Sequence, residues 1–443
     1  MNYLQLLQLA APETIVTITM LAVLGCDLTL LRERSVATRF RFGGLISIFG
    51  CVLAAIGLWS RMQVNHDAAV PYHSDLFNGF LVAGPVTDFV KIALLVLTIF
   101  TILISTSGKF TDHVGEYLSL ILLGTVGLMF LVSAEDLLMI FISLEFASLS
   151  LYILTAFNKH NEKSSEAALK YFLFGGTAAA FLLFGFSLLY GISGSTNLSE
   201  IARSLSGRGL DPLLVVAIVT TVIGFGFKVA LVPFHAWAPD VYEGAPTTIT
   251  AMLAAGSKKM GFIALFKLFL IGLIALKADW SVVVAIIAIA TMTVGNPMAL
   301  SQTNIKRMLA YSSIAQAGYI LIAIPVATQY ALAGGIFQIM THAFMKGGAF
   351  IAVATLATVA IGETITEYKG LAKRSAFMAF AIAIFLFALA GIPPLSGFAS
   401  KFVLFSAPIS AAVAGSEWLL WLAVAGIINS AIFRWTGLDG PNW

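Results

Sequence analysis

The stretch Gly224-Phe-Gly-Phe-Lys228-Val-Ala-Leu-Val-Pro233-Phe-His235 decides how this chain is read. An apolar run able to form a membrane helix carries a lysine and, five residues on, a proline. Proline lacks a backbone donor and clashes with the preceding turn, so the helix should break at membrane depth. Lys258 and Lys401 lie in similar surroundings, and Glu145 is the matching buried acid. An ionisable group at bilayer depth costs about 2.5–3.5 kcal/mol even on the lenient insertion scale. A chain that keeps several is expected to use them, and the usual use is moving charge.

Composition agrees. Of 443 residues, 59% are hydrophobic and 11% charged, with a mean hydropathy of +0.95. Soluble domains carry about 25% charged residues, which excludes a soluble globular chain. A net charge of +3 without a basic run gives no sign of a nucleic-acid partner. Cys26 and Cys51 both fall in apolar segments and read as packing residues. His235 has no second His, Cys or acid at ligand spacing, so no metal site is expected. No P-loop or dinucleotide fingerprint occurs, so no cofactor is expected in this chain.

Apolar stretches of about 20 residues, the length that crosses a bilayer, recur throughout. They predict an all-α polytopic membrane protein with about thirteen spans: 12–31, 42–60, 77–105, 115–133, 136–157, 165–191, 211–246, 247–276, 279–300, 305–326, 329–361, 374–407 and 416–434. The seventh is interrupted at Leu231–His235 and again near Pro239; the twelfth at Gly391-Ile-Pro-Pro394. Two discontinuous helices five spans apart suggest two five-helix repeats. An odd number of helices per repeat inverts the second against the first. The expected divisions are an N-terminal three-helix segment (1–110), a first repeat of helices 4–8 (111–276), a second of helices 9–13 (277–434) and a short cytoplasmic tail (435–443). The opening Met1-Asn-Tyr-Leu-Gln5 lacks a basic signal-peptide region, so the first span is expected to be retained. With the N-terminus outside, fourteen basic residues fall in inside loops or at inner helix ends, against Arg61, Arg203, Arg208 and Lys277 outside. That bias places the N-terminus outside and the C-terminus in the cytoplasm.

Glu145 falls near the middle of the fifth span, where it is expected to pair with a lysine; a neutral carboxyl bonded to a neighbouring Ser or Thr is the plainer alternative. Lys228 precedes the first break, whose freed carbonyls can solvate an ammonium. Lys401 follows the second break and reads as its repeat-related counterpart. Lys258 and Lys259 are adjacent, hence about 100° apart on a helix, so one should face the interior and the other a partner or rim. His342 and Lys346 share a helix face at i,i+4 and form a second-rank relay candidate together with Lys259. Lys267 reads as a structural, snorkelling residue and Lys91 as an interface anchor. Asp240 and Glu243 read as helix caps in the inner loop.

Five strings resemble a known family: Ser164-Ser-Glu-Ala-Ala-Leu-Lys-Tyr-Phe172, Tyr190-Gly-Ile-Ser-Gly-Ser-Thr-Asn197, Val232-Pro-Phe-His-Ala-Trp-Ala-Pro-Asp-Val-Tyr-Glu-Gly-Ala-Pro-Thr247, Tyr311-Ser-Ser-Ile-Ala-Gln-Ala-Gly-Tyr319 and Gly391-Ile-Pro-Pro-Leu-Ser-Gly-Phe398. They are similar to the antiporter-like membrane subunits of respiratory complex I and the related Mrp-type cation/proton antiporters, over nearly the whole chain. The first string favours the subunit N branch of bacterial NADH–quinone oxidoreductase.

The resemblance implies that Glu145 and Lys228 form the family's glutamate–lysine pair, with Lys258 the central lysine and Lys401 that of span 12. It implies a proton-translocating subunit in a bacterial inner membrane, driven by NADH oxidation and quinone reduction. FMN, iron–sulfur clusters, NADH and quinone are implied for partner membrane and redox subunits. The alternative is a subunit of an Mrp-type antiporter driven by an ion gradient. Two departures stand out: Lys259 doubles the span-8 charge, and the family's fourteenth span is absent after Phe433.

Overall fold

The computed structural model of the chain describes residues 10–64, 74–76, 80–106, 111–359 and 361–438. Helices dominate. In chain order they are α1 (Ala11–Thr29), α2 (Val36–Val64), α3 (Pro85–Ser105), α4 (Val114–Ser133), α5 (Leu137–Thr155), α6 (Glu162–Ser193), α7 (Leu198–Leu205), α8 (Pro212–Val229), α9 (Trp237–Gly244) and α10 (Thr247–Met252). They continue with α11 (Lys258–Lys267), α12 (Lys277–Leu300), α13 (Ile305–Leu321), α14 (Ala323–Val326), α15 (Gln329–Ala357), α16 (Leu371–Arg374), α17 (Ala376–Ala390), α18 (Ser396–Val413) and α19 (Leu419–Leu438). Among the described residues twelve spans are long and apolar enough to cross a membrane, and Ala376–Ala390 and Leu419–Ile432 are shorter apolar helices. Each of the thirteen expected spans has a counterpart.

Several boundaries differ from the sequence reading. The third span, expected from 77, begins at Pro85 because Leu81–Ala83 (β2) pairs antiparallel with Ser74–Leu76 (β1); positions 77–79 lie outside the described residues. The tail expected from 435 starts later, since α19 continues to Leu438; Lys109 and positions 439–443 lie outside the described residues. Pro239 does not interrupt a helix. It sits in the first turn of α9, where no intrahelical donor is needed. Asp240 and Glu243 therefore lie within a helix rather than capping one.

Short polar side chains start many of the helices by accepting bonds from otherwise unpaired backbone amides. Asp136 accepts from Leu138 and Met139 at the head of α5, and Asn304 from Lys306 and Arg307 at the head of α13. Both caps sit in single antiparallel β-bridges, Asp136 with Asn197 and Asn304 with Thr364. Glycine allows close approach at two matching helix pairs. A Cβ on Gly127 (α4) would stand 2.7 Å from the Ala147 amide nitrogen (α5), and one on Gly295 (α12) 2.5 Å from that of Ala315 (α13).

Two spans are wholly enclosed by the others, Thr247–Gly272 and Ile305–Val326. Having no lipid-facing surface, they are free to carry polar side chains on several faces. The first is irregular: π-helical turns at Leu253–Ser257 and Leu268–Gly272 flank α11, so Lys258 and Lys259 follow directly on a π-turn. Such turns frequently mark functional sites.

Candidate functional site

A row of buried polar side chains crosses the interior from α5 to α18. Its first group is at the α5–α6–α8 junction. The Lys228 ammonium donates to Ser148 Oγ at 2.8 Å. Glu145 is half-buried and lines the same small cavity as Ser148 and Lys228, with small α6 residues such as Gly175 and Ala178 opposite. No ion pair within 4.0 Å joins Glu145 to Lys228. The expected glutamate–lysine contact is therefore a shared cavity. At about 10 Å³ it approaches the space one water needs.

The break after α8 also differs from expectation. Ala230 adopts a positive φ of 54° as the helix ends, and the Phe227 carbonyl accepts from the Ala230 amide and from the Trp237 indole at 2.9 Å. The Val232 amide donates to Thr291 Oγ1 at 3.1 Å. The carbonyls of the break do not solvate the Lys228 ammonium, which hydrogen-bonds to a hydroxyl on α5 instead. Trp237 stacks on Tyr171 at 4.7 Å with an 8° interplanar angle, which fixes the break against α6.

The second group is central. The methylene stem of Lys228 packs beside Gly261 on α11, where a Cβ would meet Lys228 Cγ at 3.2 Å. Lys258 donates to Ser313 Oγ at 3.2 Å and lies 5.6 Å from the centre of the Tyr242 ring. Lys346 donates to the neighbouring Ser312 Oγ at 3.1 Å and to the Leu309 carbonyl at 3.0 Å. Two lysines from different spans thus meet adjacent serines of α13. Lys259 is not on a rim: it is 0% exposed, and its ammonium has no hydrogen-bond partner. It lies 6.0 Å from the Phe262 ring centre. His342 is equally buried, with both ring nitrogens unpartnered. An unpaired buried polar group is costly, so this cluster is held together by the surrounding packing and is not self-stabilising.

The third group surrounds the second break. Helix α17 ends at Gly391, whose φ of 81° is a left-handed conformation that suits glycine. Lys401, in the first turns of α18, folds back to donate to the Leu389 carbonyl at 3.0 Å, the Ala390 carbonyl at 3.4 Å and Ser430 Oγ at 3.2 Å. Its ammonium is 5.0 Å from the Tyr319 ring centre. Gln316 Nε2 reaches the same Leu389 carbonyl at 3.0 Å, and Gln338 Nε2 donates to Gln316 Oε1 at 2.7 Å. Gln338 is four residues before His342 on α15, so the glutamine pair that reaches Lys401's acceptor, the Leu389 carbonyl, starts from the helix that carries His342 and Lys346.

Other charged residues form structural pairs. Lys91 is buried against Glu13 at 2.6 Å and is no interface anchor. Lys267 donates to the Val132 and Ala134 carbonyls at the end of α4 and pairs with Glu135 at 3.2 Å, a structural role as expected. Sequence reasoning missed the set that surrounds α9. Asp240 pairs with Lys170 at 2.7 Å and Arg307 at 2.8 Å, while Glu243 pairs with Lys163 at 2.9 Å and Arg307 at 3.0 Å. Burial opposes ionisation of both acids, but the bonds from their basic partners outweigh it and hold them below the usual carboxylate range. It also missed Ser148, Ser312, Ser313, Gln316 and Gln338. Uncharged residues on apolar helices give little signal in sequence, and only the tertiary structure sets the three serines beside lysines.

Against known proteins, residues 134–432 match the family described as NADH:quinone oxidoreductase/Mrp antiporter, transmembrane, and the chain belongs to that family. Within it, the chain is of the subunit N kind, similar to relatives named as subunit N of NADH-quinone oxidoreductase. It is 41% identical over 449 residues to NADH-quinone oxidoreductase subunit N 2 of Acidobacterium capsulatum, spanning 97% of this chain and 88% of the relative. It is 42% identical over 436 residues to F(420)H(2) dehydrogenase subunit N of Methanosarcina mazei, spanning 95% and 85%. A chain of respiratory complex I from Thermus thermophilus is 28% identical with a TM-score of 0.77, over 97% of this chain and 88% of that one.

Proposed function

We propose that the chain carries protons across the membrane through Glu145, Lys228, Lys258 and Lys401, with His342, Lys346 and Lys259 as secondary members of the relay. One observation carries the reading: a succession of buried basic and polar groups through the interior. It runs from Ser148–Lys228 past Gly261 to Lys258–Ser313, Ser312–Lys346, Gln338–Gln316 and Lys401. Lys228, Lys258, Lys346 and Lys401 each have an acceptor that can hold the ammonium, whereas Lys259 has none. Protonation of one disfavours protonation of its neighbour by like-charge repulsion, so a proton arriving at Lys258 would push another onward.

The driving reaction belongs to partner subunits. Among the described residues no group of three or more His, Cys, Asp or Glu is placed to hold a metal ion. NADH, FMN, iron–sulfur clusters and quinone would be handled by those partners, as the name of the Acidobacterium relative suggests for NADH and quinone. The Methanosarcina relative is named for another reduced donor, so the donor is set outside this chain.

The two halves, 111–276 and 277–434, are read as inverted repeats that follow an N-terminal segment (1–110). The β-bridges at Asp136 and Asn304, and the Gly127–Ala147 and Gly295–Ala315 contacts, occupy corresponding places in spans 4–5 and 9–10. With an N-terminus outside and a C-terminus in the cytoplasm, the first bridge faces out and the second in, in a bacterial inner membrane.

The test is the Lys228→Ala variant in the assembled complex, reconstituted in sealed vesicles with donor and quinone. Electron transfer is expected to persist while proton uptake per electron drops. An unchanged proton-to-electron ratio would remove Lys228 from the path.

A further inference from the structure

A second cavity lies outside the row of charges. It is a crevice of about 580 Å³ walled by α3, α15 and α17, with the π-turn residue Ala255 in its lining. Its lining is apolar except for Thr355. Among the described residues nothing covers the outer side: Phe344 and Phe377, which line it, are 57% and 77% exposed.

The shape selects the occupant. Along α15 the crevice runs from Met340 to Thr355, roughly 22 Å at about 1.5 Å per residue. That length and the apolar lining suit an extended hydrocarbon chain. The inner wall stays narrow because glycine forms part of it: a Cβ on Gly348 would stand 2.3 Å from the Phe385 ring.

One end of the crevice is marked by charge. Thr355 and Phe377 stand there, beside the segment Lys369–Arg374 that leads into α17. Arg374 donates to the carbonyls of Glu367 and Lys369, which ties the segment down. The nearby acids are engaged, Glu363 with Lys306 at 2.8 Å and Glu367 with the Gly362 amide at 2.7 Å. Lys369 and Lys373 are exposed, and Lys373 lies in α16, which the extended Ser375 separates from α17 and Phe377. Basic residues at the membrane surface attract anionic headgroups.

We propose that this crevice holds an acyl chain of one anionic phospholipid, whose phosphate meets Lys369 and Lys373. The occupant lies against the π-turn immediately before Lys258, and the proposal stands whether or not that lysine carries protons.

The test uses the protein in its native assembly, transferred to vesicles of phosphatidylcholine and phosphatidylglycerol. One lipid at a time carries a photoreactive group on its acyl chain, and labelled peptides are mapped by mass spectrometry. The phosphatidylglycerol probe is expected to label the segments around Phe344 and Phe377 several-fold more than the phosphatidylcholine probe. A K369Q/K373Q double variant should bring the two probes to parity, and Ala343→Trp, which fills the crevice, should remove both labels. The wild-type comparison alone overturns the proposal if labelling there is no greater than on other lipid-facing helices. Equal labelling by the two lipids, or cross-linking of these segments to a neighbouring subunit, also overturns it.

Discussion

The Lys401 ammonium and the Gln316 side-chain amide donate to one acceptor, the Leu389 carbonyl, each at 3.0 Å. That oxygen was freed when α17 ended at Gly391, so the helix break creates the junction between the glutamine pair and the last lysine. Lys228 stands in the opposite relation to its break: Trp237 donates to the Phe227 carbonyl, and the lysine turns to Ser148 on another helix. The two lysines occupy related places but are held by different chemistry.

Replacing Lys401 should therefore affect both stability and pumping. In Lys401→Met the Ala390 carbonyl loses its lysine partner and Leu389 keeps only Gln316. An unmet buried acceptor costs about 1–3 kcal/mol. Thermal unfolding of the purified complex should shift downward, and proton translocation should fall. In Lys228→Met no backbone acceptor is orphaned, so translocation should fall with little thermal shift. Equal thermal shifts in the two variants would contradict this distinction.

Gln316→Leu breaks the amide link without removing a charge. Electron transfer and assembly should persist while the proton-to-electron ratio drops. Gln338→Leu should act in the same direction, and the double variant should do little more than either single change, because both interrupt one chain of bonds. Additive losses would mean two separate paths.

Ser148→Ala removes the hydroxyl that accepts from the Lys228 ammonium while leaving both charges of the first group in place. The pH profile of pumping should move, with the maximal rate affected less than in Lys228→Ala. A profile that superimposes on wild type would show that Ser148 does not tune this lysine.

The ion pairs about α9 should weaken on acidification. Asp240 and Glu243 ionise below their ordinary values of 3.8 and 4.5 in the folded chain, so they stabilise it fully above those values. That contribution is lost as pH falls through the lower folded values. Both acids are partly exposed, so the effect is modest. Arg307→Gln removes the partner common to both and should reproduce part of the acid effect at neutral pH, read as faster amide exchange across 237–244.

Close helix contacts give a symmetric prediction. Gly127→Val and Gly295→Val each place side-chain atoms within 3 Å of a facing backbone nitrogen, and overpacking of this kind costs about 1–3 kcal/mol or more. Both should lower the yield of folded protein to a similar degree, as expected of equivalent positions in two repeats. A tolerant site paired with an intolerant one would argue against the equivalence.

The spans, the two breaks and the burial of Lys228, Lys258 and Lys401 were legible because each depends on local chemistry. Apolar length reports a membrane crossing, proline a lost donor, and a lysine in such a run an energetic exception. The hairpin of β1 and β2 was missed because strand pairing is non-local and the adjoining apolar run masks its edge. One of Lys258 and Lys259 was expected at a partner or rim because adjacent helix positions diverge by about 100°, yet both are buried. Enclosure of their whole span buries both directions, a property of the neighbouring helices and not of the span itself. Lys91 was misread for a similar reason, since its partner Glu13 is two helices away.

By itself the sequence determined that this protein crosses the membrane many times, breaks two of its helices there, and keeps charge at depth. Hydrophobic length and proline chemistry act within a few turns and need no other segment. Only the tertiary structure decided which serine, glutamine or carbonyl each ammonium meets, and that Glu145 and Lys228 share a cavity rather than an ion pair. Those outcomes depend on atoms a few ångströms apart but tens of residues distant in sequence, where no local preference can place them.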